Sequence, residues 1–237
     1  MDISKPALVY RYGEGLYVNL TNRCPTACVF CIKHAWKMKY RGNDLALGQA
    51  EPEPGEVTAL IRGEWERGGF KELVFCGYGE PTMRLDALLA VASAVKRGLL
   101  APVPAGLKVR LNTNGLGSLV NGRDIVPELK GLVDSVHISL NTADPEQWLA
   151  MMRPAPEYAG EGFKGVLAFV RAAVGSIPET AVTAIRGGGT DLEKFSSLAK
   201  ALGASCRLRD GLSGPGNADP GENGKGTERI CRKEDPC

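Results

Sequence analysis

Leu16, Val18 and Leu20 alternate with Tyr17, Asn19 and Thr21, and this period of two predicts a strand over 16–21. Farther on the period lengthens. Val57, Leu60, Ile61 and Trp65 recur at helical spacing after Pro54, a residue suited to the first turn of a helix. A short apolar run over 73–76 reads as a second strand, and Leu85, Leu88, Leu89, Ala92 and Val95 mark one face of the helix behind it. The alternation repeats with a strand over 107–112, a short helix over 125–132, a strand over 135–140, helical segments over 146–151 and 163–174, and a strand over 181–185. Thr190, Asp191, Leu192 and Glu193 form a capping-box sequence opening a last helix, with Leu192, Phe195, Leu198 and Leu202 facing inward and Gly203 as its stop. A sixth strand follows over 205–209.

Strands separated by helices imply an α/β fold with a parallel sheet and right-handed crossovers. Six units fall short of the eight of a closed TIM barrel. The pattern by itself leaves open a partial barrel or a flat, doubly wound sheet. From residue 211 the chain reads GLSGPGNADPGENGKGTERICRKEDPC, rich in Gly, Pro and charge and nearly without apolar residues. That composition predicts a disordered tail over 211–237 behind one core domain over 1–210. Cys231 and Cys237 lie in this tail, where ligation of a second metal centre is the lesser reading.

The 237 residues are 43% hydrophobic, enough for one buried core. With 29 basic against 27 acidic residues the net charge is +2, so no whole-chain field draws in nucleic acid or a membrane surface. No apolar run approaches the ~20 residues of a membrane span. The opening MDISKPALVYRYGEG lacks the basic-then-apolar order of a secretion signal. Seven cysteines, an odd number with three close together, argue against a disulfide framework and for reduced thiols in the cytoplasm.

The three close cysteines are Cys24, Cys28 and Cys31, in the run CPTACVFC directly after the first strand. Such a loop supplies three of the four thiolates of a cubane iron–sulfur cluster, leaving one iron open to a ligand. A structural zinc with a distant fourth ligand competes, although no second C-x-x-C pair is present. Cys28 and Cys31 also form a C-x-x-C, the spacing of a redox dithiol, but this leaves Cys24 unused. His34, beside the loop, is read as an exposed histidine, and Cys76 and Cys206 as buried small hydrophobes.

The triple-cysteine spacing with Phe30 before its last member resembles the radical S-adenosylmethionine (radical SAM) superfamily. GYGEP at 77–81, LNTNG at 111–115, ISLN at 138–141 and MRP at 152–154 carry the resemblance across about 15–210. GNDLAL at 42–47 is most similar to the small radical SAM proteins associated with TatD-family nucleases. The resemblance implies an open (β/α)6 barrel, a 4Fe–4S cluster on Cys24, Cys28 and Cys31, and S-adenosylmethionine chelated to the open iron. It implies reductive cleavage to a 5′-deoxyadenosyl radical, fed by an electron donor such as flavodoxin or ferredoxin. It further assigns Phe30 to the adenine, Gly77, Gly79, Glu80 and Pro81 to the methionine end, and Asn112, Thr113, Asn114, Ser139 and Asn141 to the ribose and carboxylate. Two rivals are an activase that installs a glycyl radical on a partner and a non-catalytic metal-binding protein that keeps the loop.

The strands hold one oddity. Parallel strands covered on both faces usually read as continuous apolar runs, yet Val109 and Leu111 alternate with Arg110 and Asn112, and Val136, Ile138 and Leu140 with Ser135, His137, Ser139 and Asn141. Arg207 and Arg209 share one face of the last strand. A wet barrel interior follows, with Arg110, Arg207 and Arg209 holding a small anionic substrate and His137 beside it. The competing expectation is that these arginines pair with acidic side chains.

Overall fold

The computed structural model describes residues 6–48, 51–187 and 189–210, with the backbone of 229–230. The chain opens with a hairpin, β1 (Val9–Tyr12) and β2 (Gly15–Val18), followed by a short helix α1 (Ile32–Ala35) and a two-stranded ribbon, β3 (Lys39–Tyr40) and β4 (Asn43–Asp44). Helix α2 (Pro54–Gly68) leads to β5 (Glu72–Phe75), a 3-10 turn over Pro81–Arg84, α3 (Leu85–Lys96) and β6 (Lys108–Thr113). Two short helices, α4 (Gly117–Val120) and α5 (Val126–Leu129), precede β7 (Ser135–Ile138). Then come α6 (Pro145–Met152), α7 (Pro156–Ala159), α8 (Gly162–Val174), β8 (Glu179–Ile185), α9 (Leu192–Ala201), β9 (Ser205–Arg209) and β10 (Arg229–Ile230).

The strand order in the sheet is β1-β2-β5-β6-β7-β8-β9-β10, with the six from β2 to β9 parallel and both edge strands antiparallel. A doubly wound sheet reverses its strand order at a switch point. This one never reverses. Right-handed crossovers all stepping the same way put every helix on one face, which selects the partial barrel.

The outward strand residues, among them Leu16, Val18, Leu73, Phe75, Val109, Leu111, Val136, Ile138, Val182 and Leu208, join the helices in one buried apolar cluster. Val57 and Ile61 of α2 and Phe195 and Ala199 of α9 supply the other side. Leu60, at helical spacing with them, is 39% exposed instead. At α9 the cap is Asp191, whose carboxylate accepts from Lys194 N at 3.0 Å, and not Thr190. The Thr190 hydroxyl donates to Asn141 O at 2.8 Å, tying the end of β7 to the start of α9.

Three further sequence expectations need correction. β1 lies ahead of the predicted first strand; Tyr10 is buried on its inner face, so the hairpin covers an edge of the sheet that would otherwise expose its backbone. Arg229–Ile230 pair with Leu208 and Arg207, so the predicted tail contributes an edge strand, while the rest of 211–237, Cys231 and Cys237 included, lies outside the described residues. Cys206 is buried in the apolar cluster as expected, but Cys76 is only partly buried. Phe75 points outward, so its successor faces the barrel interior.

Candidate functional site

The carboxyl ends of the parallel strands meet at one rim, and β2 delivers the cysteine loop there. Cys24 Sγ and Cys28 Sγ lie 3.2 and 3.3 Å from the hydroxyl of the buried Thr26. The loop is clamped from two directions. Ala27 N and Val29 N donate to Arg153 O and Met151 O at 3.0 and 2.9 Å, and Ala155 N returns a bond to Pro25 O at 2.8 Å. On the other side Glu80 N donates to Arg23 O at 2.8 Å. The MRP and GYGEP segments are thus braces of the loop.

Burial pushes the Cys24 and Cys28 thiols up, the latter to about 11, with the neighbouring sulfurs adding to it. A redox dithiol needs a depressed thiol, so this environment speaks against the C-x-x-C reading. Metal binding requires these protons to leave, so a bound metal has to supply the stabilisation that burial withholds from the thiolates. A lone zinc would gather its sulfurs to about 2.3 Å of one point. A cubane asks for a wider spread, because each thiolate takes a different iron.

The GYGEP glycines answer to packing. A Cβ on Gly77 would lie 2.2 Å from Asn19 Oδ1, and one on Gly79 2.2 Å from Thr21 O. Only glycine lets this loop pass so close to the strand that carries the cysteines. Pro81 starts the 3-10 turn. Glu80 is 2% exposed, and its carboxylate accepts from Thr82 N at 3.2 Å, Thr82 Oγ1 and Thr113 Oγ1 at 2.8 Å, and Asn114 N at 2.7 Å. Burial pushes its pKa up against those four donors. Both carboxylate oxygens are therefore engaged in joining the GYGEP turn to the LNTNG turn.

The polar residues predicted at the rim divide into two sets. Thr113 points outward to Glu80, and Asn114 Oδ1 accepts from Leu116 N at 2.9 Å, leaving only its amide group 3.9 Å from Cys24 Sγ. Asn112, Ser139 and Asn141 stand on the inner side. Asn141, held at φ 64°, is fully buried and donates to Met152 Sδ at 3.3 Å, the sulfur that lies 3.8 Å from Cys28 Sγ. Asn112 Oδ1 and Asn141 Oδ1 are buried acceptors with no hydrogen-bond partner, so donors brought by a ligand would complete them. Phe30 is half buried against the edge of the apolar cluster. His34 is exposed on α1.

Thr26 was not singled out from the sequence, and Met152 and Tyr78 entered it only as members of MRP and GYGEP, with no role of their own. Tyr78 donates from its hydroxyl to Lys39 O at 2.7 Å and packs with Tyr10 and Leu45, fastening the β3–β4 ribbon beside the cysteines. Its place inside GYGEP was the available signal. The arginine expectation also changes. Arg110 is paired with Glu72 at 2.7 Å and bonded to Tyr17 and His137, which is the pairing with an acidic side chain that the competing expectation described.

The description of the Radical SAM superfamily matches residues 18–202. A GTP 3′,8-cyclase of Corynebacterium glutamicum is 32% identical over 174 residues, covering 70% of this chain and 40% of the cyclase. A probable GTP 3′,8-cyclase of Methanosarcina mazei is 28% identical over 168 residues, covering 70% and 45%. The chain therefore spans less than half the length of these curated relatives. They do not bear on the narrower TatD-associated likeness. Among solved structures, Streptococcus suis SuiB superposes with a TM-score of 0.58 at 14% identity, over 88% of this chain and 42% of SuiB. The radical S-adenosylmethionine methyltransferase TsrM of Kitasatospora setae, with cobalamin and a 4Fe–4S cluster bound, gives 0.53 at 14% identity, over 88% and 42%. At these identities the two structures speak to the fold alone.

Proposed function

The chain belongs to the radical SAM superfamily, and from that footing we propose that it cleaves S-adenosylmethionine reductively at the cysteine rim and abstracts hydrogen from a small anionic substrate in the barrel. The family binds a 4Fe–4S cluster and S-adenosylmethionine. Bound together, these two supply the electron and the carbon–sulfur bond whose rupture yields the 5′-deoxyadenosyl radical. What the chain adds is placement. Cys24, Cys28 and Cys31 are the thiolates offered to the cluster, and the Thr26 hydroxyl is within hydrogen-bond reach of the first two. Glu80 sets the GYGEP backbone at the methionine end, while the unpartnered Asn112 and Asn141 oxygens offer acceptors to amino or hydroxyl groups of the cofactor. Phe30 closes the side toward the helices.

The observation that carries this reading is the loop itself: three thiols clamped between two braces, with two orphaned amide oxygens on the same rim. The electron donor is read as a flavodoxin- or ferredoxin-type protein, and the setting as the reducing cytoplasm, since the thiols must stay free to bind iron. Among the described residues no helix is long and apolar enough to cross a membrane. The cyclases named above act, by that name, on GTP, an anion, which agrees in charge with the interior proposed here. Their cyclisation is not carried over.

The test is anaerobic reconstitution with iron and sulfide. About four irons per chain and release of 5′-deoxyadenosine only under reduction are expected, and Cys24→Ala, Cys28→Ala or Cys31→Ala should each abolish both. Loss of the cluster in Cys76→Ala or Cys206→Ala with the fold intact would overturn the ligand set. About one zinc and no iron in protein purified anaerobically would favour a non-catalytic metal protein.

A further inference from the structure

The cysteine loop reaches the surface. Ala27 and Val29 are exposed, Val29 at 54%, and Cys24, Cys28 and Cys31 are themselves only partly buried. Directly after the loop come α1 and the β3–β4 ribbon, the run IKHAWKMKYRGND, in which Lys33, Lys37, Lys39 and Arg41 stand against one carboxylate, Asp44. Lys33 is two residues past Cys31, so their Cα atoms are at most about 7 Å apart. Burial pushes the Cys24 thiol up, and Thr26 and the charge of Lys33 draw it down, so this cation acts on the loop itself. Arg153, whose carbonyl accepts from Ala27 N at 3.0 Å, adds an exposed cation beside the loop.

Among the described residues no carboxylate lies within ion-pair distance of Lys33, Lys37, Lys39 or Arg153. The acids close to them along the chain are few. Asp44 Oδ1 accepts from Ala46 N at 2.9 Å, Glu51 is held by Arg23 and Arg84, and Glu157 follows Arg153 on α7. The ribbon that carries the lysines is fixed in place. Trp36 stacks on Tyr40 with ring centroids 5.9 Å apart, Tyr40 meets Tyr10 and Tyr12 at 5.8 and 6.0 Å, and the Tyr78 hydroxyl holds Lys39 O at 2.7 Å. Lys37, Met38 and Arg41 have φ of 49°, 60° and 47°, left-handed conformations that collect where a surface has a task besides folding. A surface already ordered loses little freedom when a partner docks.

We infer that α1 and the β3–β4 ribbon, with Arg153 beside them, form the docking surface for a small acidic electron-carrier protein that delivers its electron through the exposed side of the cysteine loop. The carrier is oxidised by one electron and the cluster reduced by one, with no bond made or broken. The inference rests on the reading above and adds the partner's place on the molecule. The same lysines would attract a nucleic acid, but a net charge of +2 over 237 residues provides no track for a polyanion. A carrier needs positive charge only beside the cluster.

A flavodoxin and a plant-type 2Fe–2S ferredoxin, both acidic, serve as probes. Calorimetry on the full chain, before and after reconstitution, should find at least one of them bound, with an affinity that falls as salt is raised. Stopped-flow mixing of that carrier, reduced, with the reconstituted chain should then reduce the cluster. Lys37→Glu together with Lys39→Glu should lower the second-order rate constant at low salt about tenfold and flatten its salt dependence, and the corresponding pair of Gln substitutions should do so less. Lys130→Glu together with Lys200→Glu, the same change in net charge on exposed lysines elsewhere, should stay within about twofold of the unaltered rate. Photoreduced deazariboflavin, a small reductant that needs no docking, should reduce the cluster alike in all of them. Lys33 is left in place because its charge acts on Cys24. Binding of neither carrier, an equal loss of rate in the two glutamate pairs, or salt-dependent binding of a single-stranded oligonucleotide in place of both carriers would overturn the surface. A cluster that deazariboflavin reduces but no carrier reaches leaves the rim reading standing, and a bound carrier on a chain that assembles no cluster would sink the rim reading only.

Discussion

Leu111 and Asn112 are consecutive residues of β6, and they face different solvents. Leu111 is fully buried among helix side chains, as are Phe75, Ile138 and Val182 on the neighbouring strands. Asn112 faces a wall shared with His137, Thr183, Arg207 and Arg209, where buried oxygens wait without partners. One sheet thus separates an apolar face packed under the helices from a polar face that keeps buried oxygens without hydrogen-bond partners. Removing a side chain from the outer face should cost stability, and removing one from the inner face should cost recognition.

The largest effect is expected from the outer face. Phe75→Ala should lower unfolding free energy by about 3–5 kcal/mol, the range for a buried aromatic ring, read from the urea midpoint. A loss below about 1 kcal/mol would mean that the cluster repacks and that the two faces are less distinct than they look.

An intermediate effect is expected at His137, and its sign is fixed by the direction of the shift. The native pKa is near 2 and the unfolded one about 6.5, so below pH 6.5 the unfolded chain takes up a proton that the native chain refuses. The contribution is fully present above that pH and is lost as pH falls, at about 1.4 kcal/mol per unit. His137→Gln should therefore flatten the decline in urea midpoint between pH 6.5 and 5.5. An equal slope in both proteins would show that the imidazole charges freely and is not fixed by Arg110.

The smallest effect sharpens the contrast most. Thr183→Val removes a hydroxyl with no partner, so stability should stay within about 0.5 kcal/mol or rise. A loss above about 1.5 kcal/mol would show that the hydroxyl already serves the fold, and the inner wall would then resemble the outer one.

Much of this division was legible early. The alternation of Val109, Leu111, Val136 and Ile138 with polar residues specified which side chains go inward once a strand was assumed, and all four are found in the apolar cluster. Short connections and regular periods gave the six parallel strands to within a few residues. The hairpin strand β1 was missed because Arg11 and Tyr12 are exposed, which leaves one buried residue, Tyr10, on one face and the half-buried Val9 on the other, too weak a pattern in isolation. Thr190 was misread as a cap for a related reason: Asp191 accepts from Lys194 equally well by local sequence, and the choice falls to Asn141 O, a distant partner.

By itself the sequence determined what depends on neighbours along the chain: the periods of strand and helix, the turn residues, and a cysteine spacing that puts three thiols on one loop. Tertiary structure alone decided what depends on register between strands. Arg110 and Glu72 are 38 residues apart and meet only because β5 and β6 align as they do. Glu80 reaches Asn114 N across 34 residues on the helix side of the sheet, which turns a carboxylate beside a glycine turn into a brace. Cys76 lost its expected burial because Phe75 took the outward position. A charge or a polar atom has no preferred partner until the sheet brings one within hydrogen-bond reach, and burial then decides whether that partner is protein or ligand.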